Sequence, residues 1–261
     1  MSETLLRDAV RRLAAAGIEN PRLDARLLLE HAHGDNALFE ALVCRRAARE
    51  PLAYITGRKE FWSLDFEVGP DVLIPRPESE TVIEQALAAF PDRAAPLDVL
   101  DLGTGTGCLL VAFLKEFPNA CGLGIDVSQK ARAIAHRNVV RHGLAARGAI
   151  DGGDWSVAGS YDVILANPPY IETGDLAGLE PEGAYEPVLA LDGGADGLSA
   201  YRAVVPVLAV LLRPGGRALL EIGAGQEGDV AAVLALSGLG VVRTAPDLAG
   251  IPRVLVAAHR G

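Results

Sequence analysis

The sequence predicts an α/β fold, a doubly wound and mostly parallel sheet preceded by a small helical domain. Three observations predict it. From Leu97 onward, apolar strand-like runs alternate with helix-like stretches, as in repeated βα units. A glycine-rich loop, Gly103-Thr104-Gly105-Thr106-Gly107, directly follows the first of these runs. Ahead of them, residues 1–58 carry apolar positions at helical rather than strand spacing.

In the first helix Leu5, Leu6, Ala9, Val10 and Leu13 share one face, and Gly17 stands where a helix cap belongs. Asn20 before Pro21 reads as an N-cap and first-turn proline, and Leu23, Leu27 and Leu28 continue that helix toward Gly34. A third helix begins near Asn36 with Leu38, Phe39, Leu42 and Val43. Phe61, Trp62, Leu64, Phe66 and Val68 then predict a strand or hairpin. Pro75-Arg76-Pro77 breaks the chain before a helix from about Ser79 to Phe90. The expected organisation is therefore a helical domain over 1–58, a hairpin linker over 59–77, and an α/β domain over 78–261.

Within that last domain, strands are expected at 97–102, 121–125, 147–151, 161–166 and 217–222. Helices are expected at 108–117, 128–142, 198–212 and 226–236, with two short strands closing the chain.

The glycine loop lets a ligand approach the backbone, and its spacing is G-x-G-x-G rather than the dinucleotide G-x-G-x-x-G. Asp126 ends the second strand about 20 residues beyond the glycines, a place suited to ribose hydroxyls or to a helix cap. Together these point to a nucleoside cofactor bound by Gly103, Thr104, Gly105, Thr106, Gly107 and Asp126. Nothing in the pattern demands a pyrophosphate, and the sulfonium of S-adenosylmethionine suits an acidic protein.

Asn167-Pro168-Pro169-Tyr170 follows the apolar run Val163-Ile164-Leu165-Ala166. Two prolines end the strand rigidly and hold Asn167 at its C-terminal edge, where open α/β sheets bind ligands. The Asn167 amide oxygen and a neighbouring carbonyl are suited to accept both hydrogen bonds of one NH2 group, with Tyr170 against the same planar group. The competing reading is a strand-ending turn with a surface Asn.

With 261 residues, half of them hydrophobic, the chain is large enough for one core and an accessory domain. The formal net charge of −10 argues against a protein built to grip phosphates. Residues 1–58 are nearly neutral, with nine Arg and eight Asp or Glu. By contrast 171–200 holds Glu172, Asp175, Glu180, Glu182, Glu186, Asp192 and Asp196 and no Lys or Arg. That stretch reads either as a solvated loop or as a rim attracting a basic partner. No apolar run reaches transmembrane length, and the Met1-to-Asp8 stretch lacks a basic-then-apolar leader pattern. Cys44, Cys108 and Cys121 have no metal or redox spacing, and read as reduced, mostly buried residues of a cytoplasmic protein. The five histidines form no metal cluster, so no metal site is expected.

Motifs along nearly the whole chain resemble the HemK/PrmC family of peptide-chain release factor glutamine methyltransferases. They are Glu50-to-Gly57, Glu60-Phe61-Trp62, Ile74-to-Glu80, Asp101-to-Gly107, Asn167-to-Tyr170, Glu186-Pro187, Asp196-Gly197-Leu198, Leu220-to-Gly223 with Gln226, and Asp247-to-Gly250. Pro246 and Pro252 depart from the family pattern and leave the C-terminal geometry open. The resemblance implies a Rossmann-like class I methyltransferase domain using S-adenosylmethionine. It implies methyl transfer to the side-chain nitrogen of the glutamine in a release factor's Gly-Gly-Gln loop.

Asn167, Pro168 and Tyr170 would then be catalytic, and Asn167, Pro168, Pro169 and Tyr170 would hold the substrate. Asn167 would also border the cofactor, and Trp155 matches the family's position beside adenine, with ordinary core packing as its alternative. Asp101 is expected to order the loop; Arg76 either meets the cofactor or stitches the domains, and Glu221 stays unassigned. The nearest alternative is a methyltransferase acting on an amino group of a DNA or RNA base. A non-catalytic nucleoside-binding module is more distant.

Overall fold

Strand residues sort by alternation into two faces. On β6 (Tyr161–Ala166), Val163 and Leu165 join one apolar cluster, while Ile164 and Ala166 join another. A sheet buried on both faces needs helices on both, and the computed structural model, which describes residues 3–155 and 157–260, has them. Met1 and Ser2 of the leader reading lie outside the described residues.

The sheet has seven strands in the order β5-β4-β3-β6-β7-β9-β8, formed by β3 (Asp98–Leu102), β4 (Cys121–Asp126), β5 (Gly148–Gly152), β6, β7 (Leu212–Glu221), β8 (Leu239–Pro246) and β9 (Pro252–His259). The β5-β4-β3-β6-β7 part is parallel, and β9 pairs antiparallel with both β7 and β8. One face carries α5 (Glu80–Ala89), α6 (Cys108–Glu116) and α7 (Gln129–Arg141), which bury Ile83, Leu110, Phe113 and Val139. The other carries α8 (Ser199–Leu211) and α9 (Glu227–Leu236), which bury Tyr201, Val204, Leu208 and Leu234. The chain leaves β3 toward β4 and β5, and later leaves β6 toward β7. The strand order therefore reverses between β3 and β6, the position at which such sheets bind ligands.

The closing strands are eight residues each, longer than expected. Pro246 and Pro252 face each other across their ends. Asp247 orders the turn between them, accepting from the amides of Ala249 and Ile251 at 2.9 and 3.0 Å.

Ahead of the sheet, α1 (Glu3–Ala15), α2 (Pro21–His31) and α3 (Asn36–Ala47) bury Ala9, Leu13, Leu28, Phe39 and Val43 together. Asn20 precedes α2 but makes no side-chain cap bond, whereas Asp35 caps α3 through the amides of Ala37 and Leu38. The short helix α4 (Leu52–Thr56) follows, and then the hairpin of β1 (Arg58–Phe61) and β2 (Leu64–Glu67). Its two-residue turn, Trp62-Ser63, has positive φ at both positions (53° and 56°), as a type I′ turn requires. Neither residue favours that region. The turn is held from outside: Glu80 accepts from the Trp62 amide at 2.8 Å, and Glu116 from its indole N–H at 2.8 Å.

The helical unit is fused to the rest by two kinds of contact. Tyr54 of α4 packs with Val68, Val72, Ile74 and Ile134, and its hydroxyl donates to the Val72 carbonyl at 2.6 Å. Arg46 in the last turn of α3 and Arg49 just after it reach Glu182 at 2.9 and 2.6 Å. Cys44 and Cys121 are exposed and Cys108 is half-buried, contrary to the expectation of mostly buried thiols.

Candidate active site

The ends of β3, β4 and β6 open onto one cavity of about 290 Å³. Gly103, Gly105 and Gly107 all have positive φ, at 72°, 54° and 79°, and this succession lets the loop reverse tightly before α6. The amides of Gly103 and Thr104 both donate to the Ile125 carbonyl of β4, at 3.0 and 2.9 Å. Asp101 is buried and accepts from the Thr104 hydroxyl at 2.6 Å. Burial pushes its carboxyl up to about 7, with the Thr104 bond opposing. Asp101 thus orders the loop through Thr104 while itself lining the cavity.

Asp126 accepts from the Gly105 amide at 2.9 Å and from the Ser128 amide at 2.8 Å. The cap of α7 is Ser128, whose hydroxyl accepts from the Ala131 amide. Each Asp126 oxygen keeps a further lone pair, and the residue lines the cavity. Trp155 lies across the loop, about 3.5 Å from where a Cβ on Gly103 would stand, and walls the same cavity with Val127 and Leu109. An aromatic face, an acidic strand end and a bare backbone loop in one cavity fit a nucleoside cofactor. Of the expected cofactor residues, Gly103, Thr104, Gly105, Thr106, Asp126, Trp155 and Asn167 line the cavity. Gly107 does not. A Cβ there would lie 3.4 Å from that of Ala135, so its bareness serves the approach of α6 to α7.

Asn167, Pro168 and Pro169 line the opposite wall. The Asn167 amide nitrogen donates to the Ser79 hydroxyl at 3.1 Å, which turns its oxygen away from Ser79. Tyr170, which follows Pro169, is not among the residues lining this cavity. Its hydroxyl points to Glu221 at 3.5 Å and its ring packs by Gly223. Burial, then the Glu221 charge, push the phenol up to about 12. Its carbonyl accepts from the Gln226 side chain at 3.0 Å, and Gly197, at φ 69°, is bare because a Cβ would meet both groups at 2.5 Å. Tyr170 thus anchors the rigid turn through Glu221, Gly223 and Gln226.

Arg76 lines the cavity and pairs with the buried Glu186, which also accepts from the Ile74 amide at 3.1 Å. Arg76 thus makes a stitching contact to Glu186 while also lining the cavity. Cys108 lines the cavity too, with its thiol held neutral because burial pushes it up to about 12.

Sequence reasoning missed Ser79, whose only signal was its place in the run 74–80. It also missed Pro187, Leu189 and Ala190, which wall the cavity from within a stretch read only for its charge.

The family described as Methyltransferase small domain matches residues 84–178, and the PrmC N-terminal domain matches residues 4–38. A release factor glutamine methyltransferase of Rhodospirillum rubrum is 43% identical, over 95% of this chain and 82% of that protein. Those of Caulobacter vibrioides and Cereibacter sphaeroides are 42% and 45% identical, covering 94% and 97% of this chain and 92% and 96% of theirs. The chain belongs to the release factor glutamine methyltransferase family. A solved ribosomal protein L11 methylase from Lactobacillus delbrueckii subsp. bulgaricus shares the fold, with a TM-score of 0.55 at 19% identity over 74% of this chain and 84% of that one. The reading of a base-directed methyltransferase gives way to this family membership.

Proposed function

We propose that the chain methylates the side-chain amide nitrogen of a release-factor glutamine, in a Gly-Gly-Gln loop, and that Asn167 with the Pro168 carbonyl grips that amide. S-adenosylmethionine supplies the electrophilic methyl group. Family membership supports the reaction, and the ordered Asn167 amide at the head of the cavity supports the grip. Asp126, Trp155 and the 103–106 loop would hold the cofactor.

An amide nitrogen is a poor nucleophile because its lone pair is delocalised into the carbonyl, and its N–H is too weak an acid for a side-chain base to remove first. Orientation is the available strategy. Asn167 Oδ1 and the Pro168 carbonyl accept the two N–H bonds and aim the lone pair at the methyl carbon. Positioning of this kind supplies roughly 7–11 kcal/mol in favourable cases. The same two acceptors stabilise positive charge growing on nitrogen before its proton leaves to solvent. The reading includes a cytoplasmic setting, supported by three unpaired cysteines.

The test separates binding from chemistry. Asn167→Ala should bind the cofactor normally by calorimetry yet lose about 100-fold or more in methyl transfer to release factor. Asp126→Ala should lose cofactor affinity first. Normal turnover by the Asn167 variant would remove the grip, and unaltered cofactor affinity in the Asp126 variant would leave that residue only its loop contacts.

A further inference from the structure

A second cavity, of about 460 Å³, opens beside the first. It lies where the helical unit meets the methyltransferase domain. Leu52 and Ala53 of α4 line one side, and residues between Ile171 and Leu191 line the other. The two cavities adjoin, because Arg76 lines both. The backbone links them too. It leaves Asn167 in the first and reaches Ile171 in the second four residues later, at most about 14 Å away.

Most charges around the second cavity cancel in pairs. Arg46 bonds Asp24 and Glu182 at 2.7 and 2.9 Å, Arg76 pairs with the buried Glu186, and Glu180 meets Arg49 at 3.5 Å. Of the lining cations, Lys59 alone enters no ion pair among the described residues. The surface that remains is apolar. Ile171 and Leu179 are half-buried and Leu191 is buried, yet none of the three belongs to an apolar cluster of the fold. Leu179 is closely seated, since a Cβ on Gly183 would stand 3.1 Å from its own.

We propose that this cavity is a second substrate subsite, which takes an apolar side chain of the release factor from within four residues of the methylated glutamine. This rests on the glutamine reading above. A loop that holds its glutamine at Asn167 continues over the surface, and the adjoining cavity lies within the span of its next four residues. Paired charges offer an incoming ion little, whereas Ile171 and Leu179 lose contact with water when an apolar group enters. Lys59 at the same cavity suits the carbonyl groups of a passing backbone. The subsite gives the loop a second point of attachment and fixes the direction in which it crosses the first cavity. Because α4 supplies one wall, the joint with the helical unit takes part in choosing the substrate.

The experiment changes each residue within four positions of the glutamine to serine, one at a time, in full-length release factor. Values of kcat and KM are measured for each with the wild-type enzyme, Leu179→Trp, which fills the cavity, and Leu179→Ser, which strips its wall. Cofactor calorimetry and a thermal melt accompany each enzyme. Both variants should bind the cofactor as the wild type does and lose about tenfold in kcat/KM for release factor, through KM. One apolar position of the release factor should cost the wild-type enzyme a similar factor. The same change should cost Leu179→Trp nothing further, because that side chain no longer has a place to enter. Wild-type KM in both folded variants would overturn the subsite. So would additive losses at every position, or coupling to a charged residue instead of an apolar one. Should Leu179→Trp fail to fold, Leu179→Ser decides by the same criteria. A wild-type enzyme that leaves release factor unmethylated would overturn the glutamine reading itself, whereas normal methylation without a coupled position overturns the subsite alone.

Discussion

At the scale of single residues, the burial of Glu221 ties stability to pH. Folded protein keeps the Glu221 proton up to about pH 7, whereas the unfolded chain releases it near 4.5. Between those values the native state binds more protons, so this group lowers stability as pH rises, and the loss is complete above 7. Glu221→Gln removes the titration. Its stability relative to wild type should grow from pH 4.5 to 7 and reach up to about 3 kcal/mol at pH 8. Urea unfolding at pH 5 and pH 8 reads this directly, and an equal difference at both pH values would show that Glu221 is charged throughout.

At the scale of elements, the hairpin carries strain that local sequence does not explain. Type I′ turns favour Asn-Gly, yet Trp62-Ser63 occupies both left-handed positions. Trp62 is kept there by Glu80 and Glu116, through bonds reaching 18 and 54 residues along the chain. Ser63 is exposed, and its amide is held by Glu60 within the hairpin. Ser63→Gly should therefore raise stability by up to about 1 kcal/mol, the cost of a non-glycine residue in that region. Thermal unfolding of the variant tests this, and a lower melting temperature would show that the serine side chain is needed where it stands. The glycine loop has the opposite economy, because all three left-handed positions are already glycine.

At the scale of the whole molecule, the acidic stretch after Tyr170 serves two ends. Glu182 bridges Arg46 and Arg49 of the helical unit, and against the opposing effect of burial their hydrogen bonds hold its carboxyl below the usual range. Glu180 joins Arg49, and Glu186 joins Arg76. Part of the expected acidic rim is thus a clasp within the chain. Glu172 and Asp175 are exposed and enter no ion pair among the described residues, so they remain candidates for steering a basic partner. Replacing both with amides should slow release-factor association a few-fold at low salt and flatten its salt dependence, since such steering is screened over about 8–10 Å. Stopped-flow rates across a salt series would show it, and an unaltered slope would make them merely solvated. Glu182→Gln should behave differently. It should speed hydrogen exchange across Pro181–Tyr185 and cost about 1 kcal/mol, the scale of a part-exposed pair. Unchanged exchange would mean the clasp adds nothing.

The sequence by itself determined the βα alternation, the glycine loop, the position of Asp126 and the rigid edge at Asn167. Each of these rests on local chemistry: apolar periodicity, the bareness of glycine, the missing N–H of proline. Only the tertiary structure decided that Ser79 meets Asn167, 88 residues away. It also decided that Tyr170 meets Glu221, that Gly107 serves helix packing, and that Glu182 faces Arg46 rather than solvent. Those facts depend on which strands become neighbours. A side chain's charge, its partners and the direction it points are set by what is brought against it, and β6 lies beside β3 and β7 only once the sheet has formed.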